Sequence, residues 1–251
     1  MTGFTWSDDD QRRYLAIRDD LAGVSTASAC QLLIAEGWRN TYMRGLLPIR
    51  PLGLGRRIVG RARTCRYLIR RAPDRGPDPE ARRRSPEIVL IESIEEGDIF
   101  CVDALGVPTA GIIGDILSAR LKGRGVPAAI VHGAVRDSPY IAELGLPVFC
   151  AAIHPAHSGR DLEPVDVDRP IDMAGVQVRP GDVLLADDEG VIAMPLDQAE
   201  LVARIGPPKE RLEEWIRDKI EAGGSVHDYY PPSVEKLAEY ERETGERYER
   251  H

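Results

Sequence analysis

Between residues 87 and 194, short apolar runs alternate with helical patterns, and turns that contain glycine separate them. Strands that alternate with helices of this length are typical of an α/β protein with a partly buried sheet. We find no internal repeat and no clear boundary between independent domains, so the pattern predicts one α/β domain. The predicted strands are IFCVDA, VPAAIVHG and PVFCAAI, the predicted helices are ILSARLKGRG and SPYIAELG, and IVLIESI fits either type.

Helical patterns flank this region on both sides. Three aspartates followed by apolar residues at helical spacing predict an N-terminal helix within residues 1–22. Ser25 or Thr26 can cap the next helix. The charged segment 196–251 predicts a C-terminal helical extension, which leaves residues 23–195 as the central domain.

Three further segments of the central domain have a recognisable pattern. The run IVGRARTCRYLI predicts a strand, and residues 72–86 form a polar insertion rich in Arg and Pro, which we expect to be an exposed loop. A pair of strands is expected around Pro180-Gly181-Asp182. The DDE at 187–189 is expected to be a solvated turn.

Composition excludes several classes of function. A net charge of −8 and 6% aromatic residues do not suit a nucleic-acid-binding protein. The apolar runs fall far short of the roughly 20 residues needed to span a bilayer, and the N-terminus lacks the pattern of a secretory signal. Four widely spaced cysteines without a C-x-x-C pair indicate reduced thiols and a cytoplasmic location.

The most informative motif is Gly114-Asp115, then twenty intervening residues, then Arg136-Asp137. The first pair opens a predicted helix, whose free amides at Ile116 and Leu117 favour a bound anion. Arginine binds a carboxylate with two parallel hydrogen bonds, and a neighbouring aspartate can hold a divalent cation. The motif therefore predicts a pocket for a metal-chelated carboxylate compound, although it fits a buried Arg–Asp pair and an ordinary helix cap equally well.

The blocks around this motif resemble one family over most of residues 20–230. They are VSTASACQLL, GRARTCRY, EEGDIFCVDALG, GDILSARLKGRGVPAAIVHGAVRDSPYIAELGLPVF and VRPGDVLLADDEGVIAMP. They resemble the 4-hydroxy-4-methyl-2-oxoglutarate aldolases and the ribonuclease regulators called RraA. The resemblance implies an α-β-β-α sandwich of the swivelling β/β/α type. It also implies a homotrimer or homohexamer with active sites shared between subunits.

The same resemblance implies a role for each residue of the motif. Asp137 would bind a divalent metal directly, with Mg²⁺ expected and Mn²⁺ or Co²⁺ also suited to oxygen ligands. Asp115 would hold a metal-bound water, and Arg136 would bind the substrate carboxylate. The amides from Gly114 to Leu117 would assist in substrate binding.

In the aldolases, a glutamate from a neighbouring subunit's C-terminal helix approaches the metal-bound water. The candidates here are Glu210, Glu213 and Glu214, of which Glu214 is preferred. The shorter ribonuclease regulators lack this tail, so its presence favours an enzyme. The tail also carries an apolar stripe that we expect to pack on a neighbouring subunit; it comprises Leu201, Ile205, Leu212, Trp215, Ile216 and Ile220.

The implied activity is that of a metal-dependent class II aldolase. It would cleave a 4-hydroxy-2-oxo acid to pyruvate and a second carbonyl compound, with oxaloacetate decarboxylation as a side activity. Two alternatives remain: a regulatory binding protein of the RraA type, and a hydratase or dehydratase acting on sugar-derived 2-oxo acids.

Other polar residues are weaker candidates. His132 occupies a position where relatives often carry an acidic or hydroxyl residue, and a partly buried structural role is expected for it. His154 and His157 lack a matched carboxylate for a metal site. Arg160 is a candidate contact for a distal substrate group.

Overall fold

The computed structural model describes residues 4–71 and 78–249, and its central element is a mixed eight-stranded sheet. In chain order the elements are α1 Asp8–Leu21, α2 Thr26–Ala35, β1 Leu47–Pro48, β2 Ile58–Ile69, α3 Pro79–Arg83, α4 Pro86–Ser93, β3 Asp98–Asp103, α5 Asp115–Gly123, β4 Ala129–Val135, α6 Ser138–Leu144, β5 Val148–Ile153, β6 Leu162–Val167, β7 Ile171–Asp172, β8 Gln177–Val178, β9 Val183–Asp187, β10 Gly190–Met194, α7 Leu196–Glu221, α8 Val226–Tyr229 and α9 Val234–Thr244. A 3-10 turn covers Ser158–Arg160.

The sheet order is β1-β5-β4-β3-β2-β9-β10, with β6 paired to β2 as an additional strand. Strands β2 to β5 run parallel, whereas β1, β6, β9 and β10 pair antiparallel with their neighbours. The segment just before β1 reaches back to β10, because the amide of Met43 donates to the carbonyl of Val191 at 2.9 Å. The two ends of the sheet therefore approach each other, and the sheet folds into two facing halves.

Three hydrophobic clusters fill the spaces between the layers. Helices α4, α5 and α6 pack on the outer face of the parallel half, through residues such as Leu90, Leu121 and Ile141. A second cluster, which includes Ile130 and Phe149, lies between the two halves of the sheet. Helices α1, α2 and the first half of α7 cover the outer face of β9 and β10. This order of layers is the expected α-β-β-α sandwich, and no helix of the described residues is both long and apolar enough to cross a membrane.

The parallel strands explain where the polar motif lies. The crossovers from β3 to β4 and from β4 to β5 each contain one helix, and the crossover from β2 to β3 contains α3 and α4. Helices α4, α5 and α6 therefore begin at the carboxyl edge of the sheet. Gly114-Asp115 lies at the start of α5, and Arg136-Asp137 lies between β4 and α6. Ligand sites of open α/β sheets occur at this same edge.

Helix α7 has two parts with different packing partners. Its first part belongs to the core that includes α1 and α2, whereas Leu212, Trp215 and Ile216 form a small separate cluster with residues of α8 and α9. Pro207 and Pro208 lie inside the helix between these two parts. Most of the apolar stripe of α7 is thus covered within the chain, so its burial does not require a neighbouring subunit.

Other predictions of local structure can be compared directly. Ser25 caps α2, accepting a hydrogen bond from the amide of Ser28 at 3.1 Å, as predicted. The ambiguous run IVLIESI is helical. Of the predicted insertion, residues 72–77 lie outside the described residues, and the rest contains α3, so the loop prediction is wrong there. The turn around Pro180-Gly181-Asp182 connects β8 to β9, and Asp188 and Glu189 form the turn to β10.

Candidate functional site

A backbone hydrogen bond joins the two halves of the polar motif. The amide of Arg136 donates to the carbonyl of Ile113 at 3.0 Å, directly before Gly114. Gly114 has extended backbone angles of −125° and −164° and is the residue that precedes the first turn of α5. The structure therefore brings together Gly114, Asp115, Arg136 and Asp137, as the sequence predicts.

Gly114 leaves the space into which the side chains of the second half project. A Cβ atom at this position would lie 3.0 Å from Nε of Arg136, and closer still to Oδ2 of Asp137. Real Cβ atoms essentially never show contacts shorter than 3.0 Å. A side chain here would displace the Asp137 carboxylate and shift the Arg136 side chain, so glycine permits the close approach of a guanidinium and a carboxylate.

Asp137 has an unusual backbone and a carboxylate that does not cap its helix. Its φ and ψ angles are 54° and 30°, a left-handed conformation that few residues other than glycine adopt, although aspartate tolerates it. The residue precedes α6, yet its side chain makes no capping hydrogen bond there. Oδ2 instead lies 3.5 Å from Nε of Arg136, and both side chains are about two-fifths exposed to solvent. A conformation of this kind often occurs where a functional group must be held in a fixed direction.

Asp115 interacts with the start of its own helix. Its Oδ1 accepts a hydrogen bond from the amide of Ile116 at 2.8 Å. The Ile116 amide, expected to bind substrate, is therefore occupied in this structure, and an incoming anion would compete with Asp115 for it. The side chain of Ile116 is 75% exposed, whereas Leu117 packs against the core under α5.

The carboxylates near the motif fit a cation that needs few protein ligands. Within the described residues, no group of three or more His, Cys, Asp or Glu side chains could hold a metal ion. Mg²⁺ commonly binds through one or two carboxylates and keeps several waters or substrate oxygens. The partly exposed carboxylate of Asp137, with Asp115 on the adjoining segment, fits that requirement and does not fit a closed structural zinc site.

The three glutamates of α7 have different surroundings. Glu210 accepts hydrogen bonds from the amide and hydroxyl of Ser25 at 2.8 and 2.6 Å; although burial opposes it, these bonds lower the pKa of its carboxyl. Glu213 pairs with Lys209. Glu214 is exposed. All three belong to α7, which packs on α1, α2 and α8 and contributes nothing to the core under α5 and α6, so the structure does not bring them to the site of their own chain.

The remaining candidates lie near the loop that precedes α5. Gly111 bridges to both Ala134 and His157, which places the 154–160 segment beside this loop. Nδ1 of His154 accepts the amide of Ala156 at 3.1 Å, so it serves the local turn. A guanidinium nitrogen of Arg160 lies 3.5 Å from the carbonyl of Thr109.

Sequence reasoning did not single out Glu87, a buried acidic residue at the same edge. Glu87, in the first turn of α4, is completely buried, with Nη1 of Arg82 2.8 Å from Oε2 and the Tyr67 hydroxyl beside it. Burial raises the pKa of this carboxyl, whereas Arg82 and Tyr67 act in the opposite direction. Its signal in the sequence is slight: a glutamate after a proline at the start of an apolar run.

Comparison with known proteins supports a family assignment. A sequence profile described as RraA-like, Aldolase/RraA, matches residues 24–193. The chain is 29% identical to Protein DlpA of Legionella pneumophila over 182 residues, 72% of this chain but 28% of that longer protein. It is 31% identical over 106 residues to the 4-hydroxy-4-methyl-2-oxoglutarate aldolase of Thermus thermophilus, 42% of this chain and 64% of that one.

A solved structure gives the same result. The crystal structure of RraAS2 from Streptomyces coelicolor, described as an unusual member of the RNase ES inhibitor RraA protein family, superimposes with a TM-score of 0.71 at 29% identity. The match covers 86% of this chain and 99% of that one. Because the profile covers well over half of the sequence and the fold agrees, the chain belongs to the RraA-like family, Aldolase/RraA.

Proposed function

We propose that this chain is a divalent-metal-dependent class II aldolase that cleaves a 4-hydroxy-2-oxo acid into pyruvate and a second carbonyl compound. The observation that carries the proposal is the approach of Arg136 and Asp137 to Gly114-Asp115, at a position without a side chain. Residues 23–195 would form the catalytic unit. Residues 1–22 and 196–251 would be helical additions to it.

Asp137 would hold the cation directly, and Asp115 would hold one of its waters. Mg²⁺ is the expected ion, and Mn²⁺ or Co²⁺ would also suit these oxygen ligands. When bound, such an ion supplies a Lewis acid that draws electron density from the 2-oxo group of the substrate.

The chain's own residues would orient the substrate and move protons. The Arg136 guanidinium would bind the substrate carboxylate with two parallel hydrogen bonds, assisted by the amides from Gly114 to Leu117. Asp115, through a water, would accept the proton of the 4-hydroxyl as the bond between carbons 3 and 4 breaks. The electron pair of that bond passes to the pyruvate half, which takes up a proton at carbon 3. Oxaloacetate decarboxylation leaves the same electron pair on the same carbon, so it is an expected side activity.

We expect a homotrimer or homohexamer in which Glu214 of one subunit serves the site of another. Its exposure, and the occupation of Glu210 and Glu213 by Ser25 and Lys209, support Glu214 over the other two. The partner is a small 2-oxo acid, and neither nucleic acid nor membrane is expected. Buried free thiols at Cys65, Cys101 and Cys150 support a reducing, cytoplasmic compartment.

A direct test incubates the purified chain with 4-hydroxy-4-methyl-2-oxoglutarate and Mg²⁺ and follows pyruvate release. We expect activity that a chelator abolishes and Mg²⁺ restores, and that is lost in Asp137→Ala. Asp20→Ala, at an exposed position on α1, is the matched control. Full activity of Asp137→Ala at saturating Mg²⁺ would contradict the metal role.

A second candidate function is regulatory binding to a ribonuclease. The similarity to RraAS2 supports this candidate. A chain without turnover of any 2-oxo acid, but with saturable binding to a ribonuclease, would favour it. Release of a dehydrated or hydrated 2-oxo acid without pyruvate would instead indicate a hydratase or dehydratase.

A further inference from the structure

His132 connects three elements at the carboxyl edge of the sheet. It lies on β4, directly beside Asp103 of β3 in the strand register. Its Nδ1 lies 3.6 Å from Oδ1 of Asp103, 3.2 Å from the carbonyl oxygen of Asp172 and 3.3 Å from the amide nitrogen of Ala174. Asp172 and Ala174 belong to the β7–β8 hairpin, which is hydrogen-bonded as a separate two-stranded sheet. One ring nitrogen therefore faces a carboxylate, a hydrogen-bond acceptor and a hydrogen-bond donor.

The same two residues build the beginning of the loop that carries the candidate site. Oδ1 of Asp103 accepts the amide of Leu105 at 2.9 Å, and Leu105 has a left-handed φ of 58°. The carbonyl of His132 accepts the amides of Ala104 and Gly106 at 3.1 and 3.0 Å. A Cβ at Gly106 would lie 3.1 Å from Nε2 of His132, so the loop packs directly on the ring. This loop, residues 104–114, ends at Gly114 and delivers Asp115.

Nδ1 of His132 cannot make all of these contacts at once, because a nitrogen that carries a proton donates a hydrogen bond and one without a proton accepts. A protonated Nδ1 can donate to the Asp172 carbonyl or to the Asp103 carboxylate, but it cannot accept from Ala174. A neutral ring with its proton on Nε2 can accept from Ala174 at Nδ1, but it repels the Asp172 carbonyl, and either neutral tautomer loses the charge attraction of Asp103. The ionisable groups that face the ring are the carboxylates of Asp103 and Asp172, and within the described residues no lysine or arginine pairs with it. The surroundings thus favour the charged ring.

We propose that His132 is a positioning residue whose charged form holds the 104–114 loop, and with it Asp115, in the conformation needed for catalysis. This inference rests on the proposed aldolase function for its effect on turnover, but not for its effect on the loop. A hydrogen bond from the ring to Asp103 raises the pKa of His132, against the lowering effect of burial. Since the folded pKa is raised, the charged form is present below that pKa and is lost as the pH rises through it.

The first part of the test needs no substrate. NMR titration of the full chain should show the His132 imidazole with a midpoint above 6.5, with the amide signals of Leu105 and Asp115 moving at the same midpoint. Asp103→Asn keeps an oxygen that can accept the Leu105 amide but removes the charge, so it should lower that midpoint. His227 on α8 serves as the remote reference. A His132 midpoint at or below 6.5, or loop amides that do not follow it, would overturn the proposal.

The second part measures kcat/KM against pH. The wild-type value should fall on the alkaline side with the midpoint found by NMR. His132→Gln, which cannot carry the charge, should show the lower value throughout, whereas His227→Gln should keep the wild-type profile. A His132→Gln variant that retains the wild-type alkaline limb overturns the proposal. An inactive wild-type chain would overturn the aldolase function and leave the NMR result as the test of the loop.

Discussion

Gly114→Ala is a small change whose effect can be worked out from the structure. The backbone angles at residue 114 are accessible to alanine, so the methyl acts through its neighbours and not through φ. To restore an ordinary contact of 3.4 Å, Nε of Arg136 must move by a few tenths of an ångström and the Asp137 carboxylate by about 1 Å. A 1 Å misplacement of reacting groups can cost about 10²-fold in rate, which corresponds to about 2.7 kcal/mol of transition-state stabilisation.

We therefore expect kcat/KM of Gly114→Ala to fall about 10²-fold, with weaker Mg²⁺ binding in calorimetry. Its stability should change by about 1 kcal/mol or less, the usual effect of losing a favourable residue before a helix. Gly123→Ala is the matched control, since it lies at the other end of α5 and a Cβ there would meet nothing within 4 Å. That variant should keep full activity. Wild-type kcat/KM and Mg²⁺ affinity in Gly114→Ala would refute the reasoning.

Three further predictions follow from the same geometry. Arg136→Lys should raise KM and lower kcat, together by about 10- to 100-fold, because a point charge replaces a two-pronged hydrogen-bond donor; kinetics equal to wild type would leave Arg136 a structural role only. Glu87→Gln should stabilise the fold near neutral pH. It should lose that advantage as the pH falls below the raised pKa of the glutamate, because the carboxyl is then protonated and neutral like the amide. Denaturant titrations at several pH values measure the difference in unfolding free energy, and a difference independent of pH would contradict the prediction. Truncation after Met194 removes buried residues of the α1–α2 layer and should abolish cooperative unfolding. Truncation after Glu221 should leave the thermal unfolding transition of the central domain unchanged. Equal thermal unfolding of the two shortened chains would show that α7 is not part of the core.

Local sequence signals account for much of this fold. Ser25 before an apolar run, and apolar strands separated by glycine turns, specify their own local structure. Strand β7 is only two residues long and exists because it pairs with β8, so periodicity could not reveal it. The α7 stripe showed that an apolar surface must be covered, but its cover comes from distant parts of the same chain, such as Tyr240.

The site was partly predictable for a related reason. Helix starts and strand ends placed Gly114-Asp115 and Arg136-Asp137 at one edge, because parallel strands share their carboxyl ends. The left-handed backbone of Asp137 and the bond from Ile116 to Asp115 depend on the exact path of the chain. The importance of Glu87 comes from its complete burial, and one polar residue in an apolar segment does not reveal burial.

The two prolines within α7 should separate amides that are strongly protected from hydrogen exchange from amides that are less protected. Pro207 and Pro208 have no amide hydrogen, so the carbonyls of Ala203 and Arg204 lose their usual helical donors at the point where one hydrophobic cluster gives way to the next. Amides before this break should open only with the central domain, whereas those after it can open together with α8 and α9 as a smaller cooperative unit. The amides of one continuous helix would then show two levels of protection from hydrogen exchange, and the change between them would lie near residue 208.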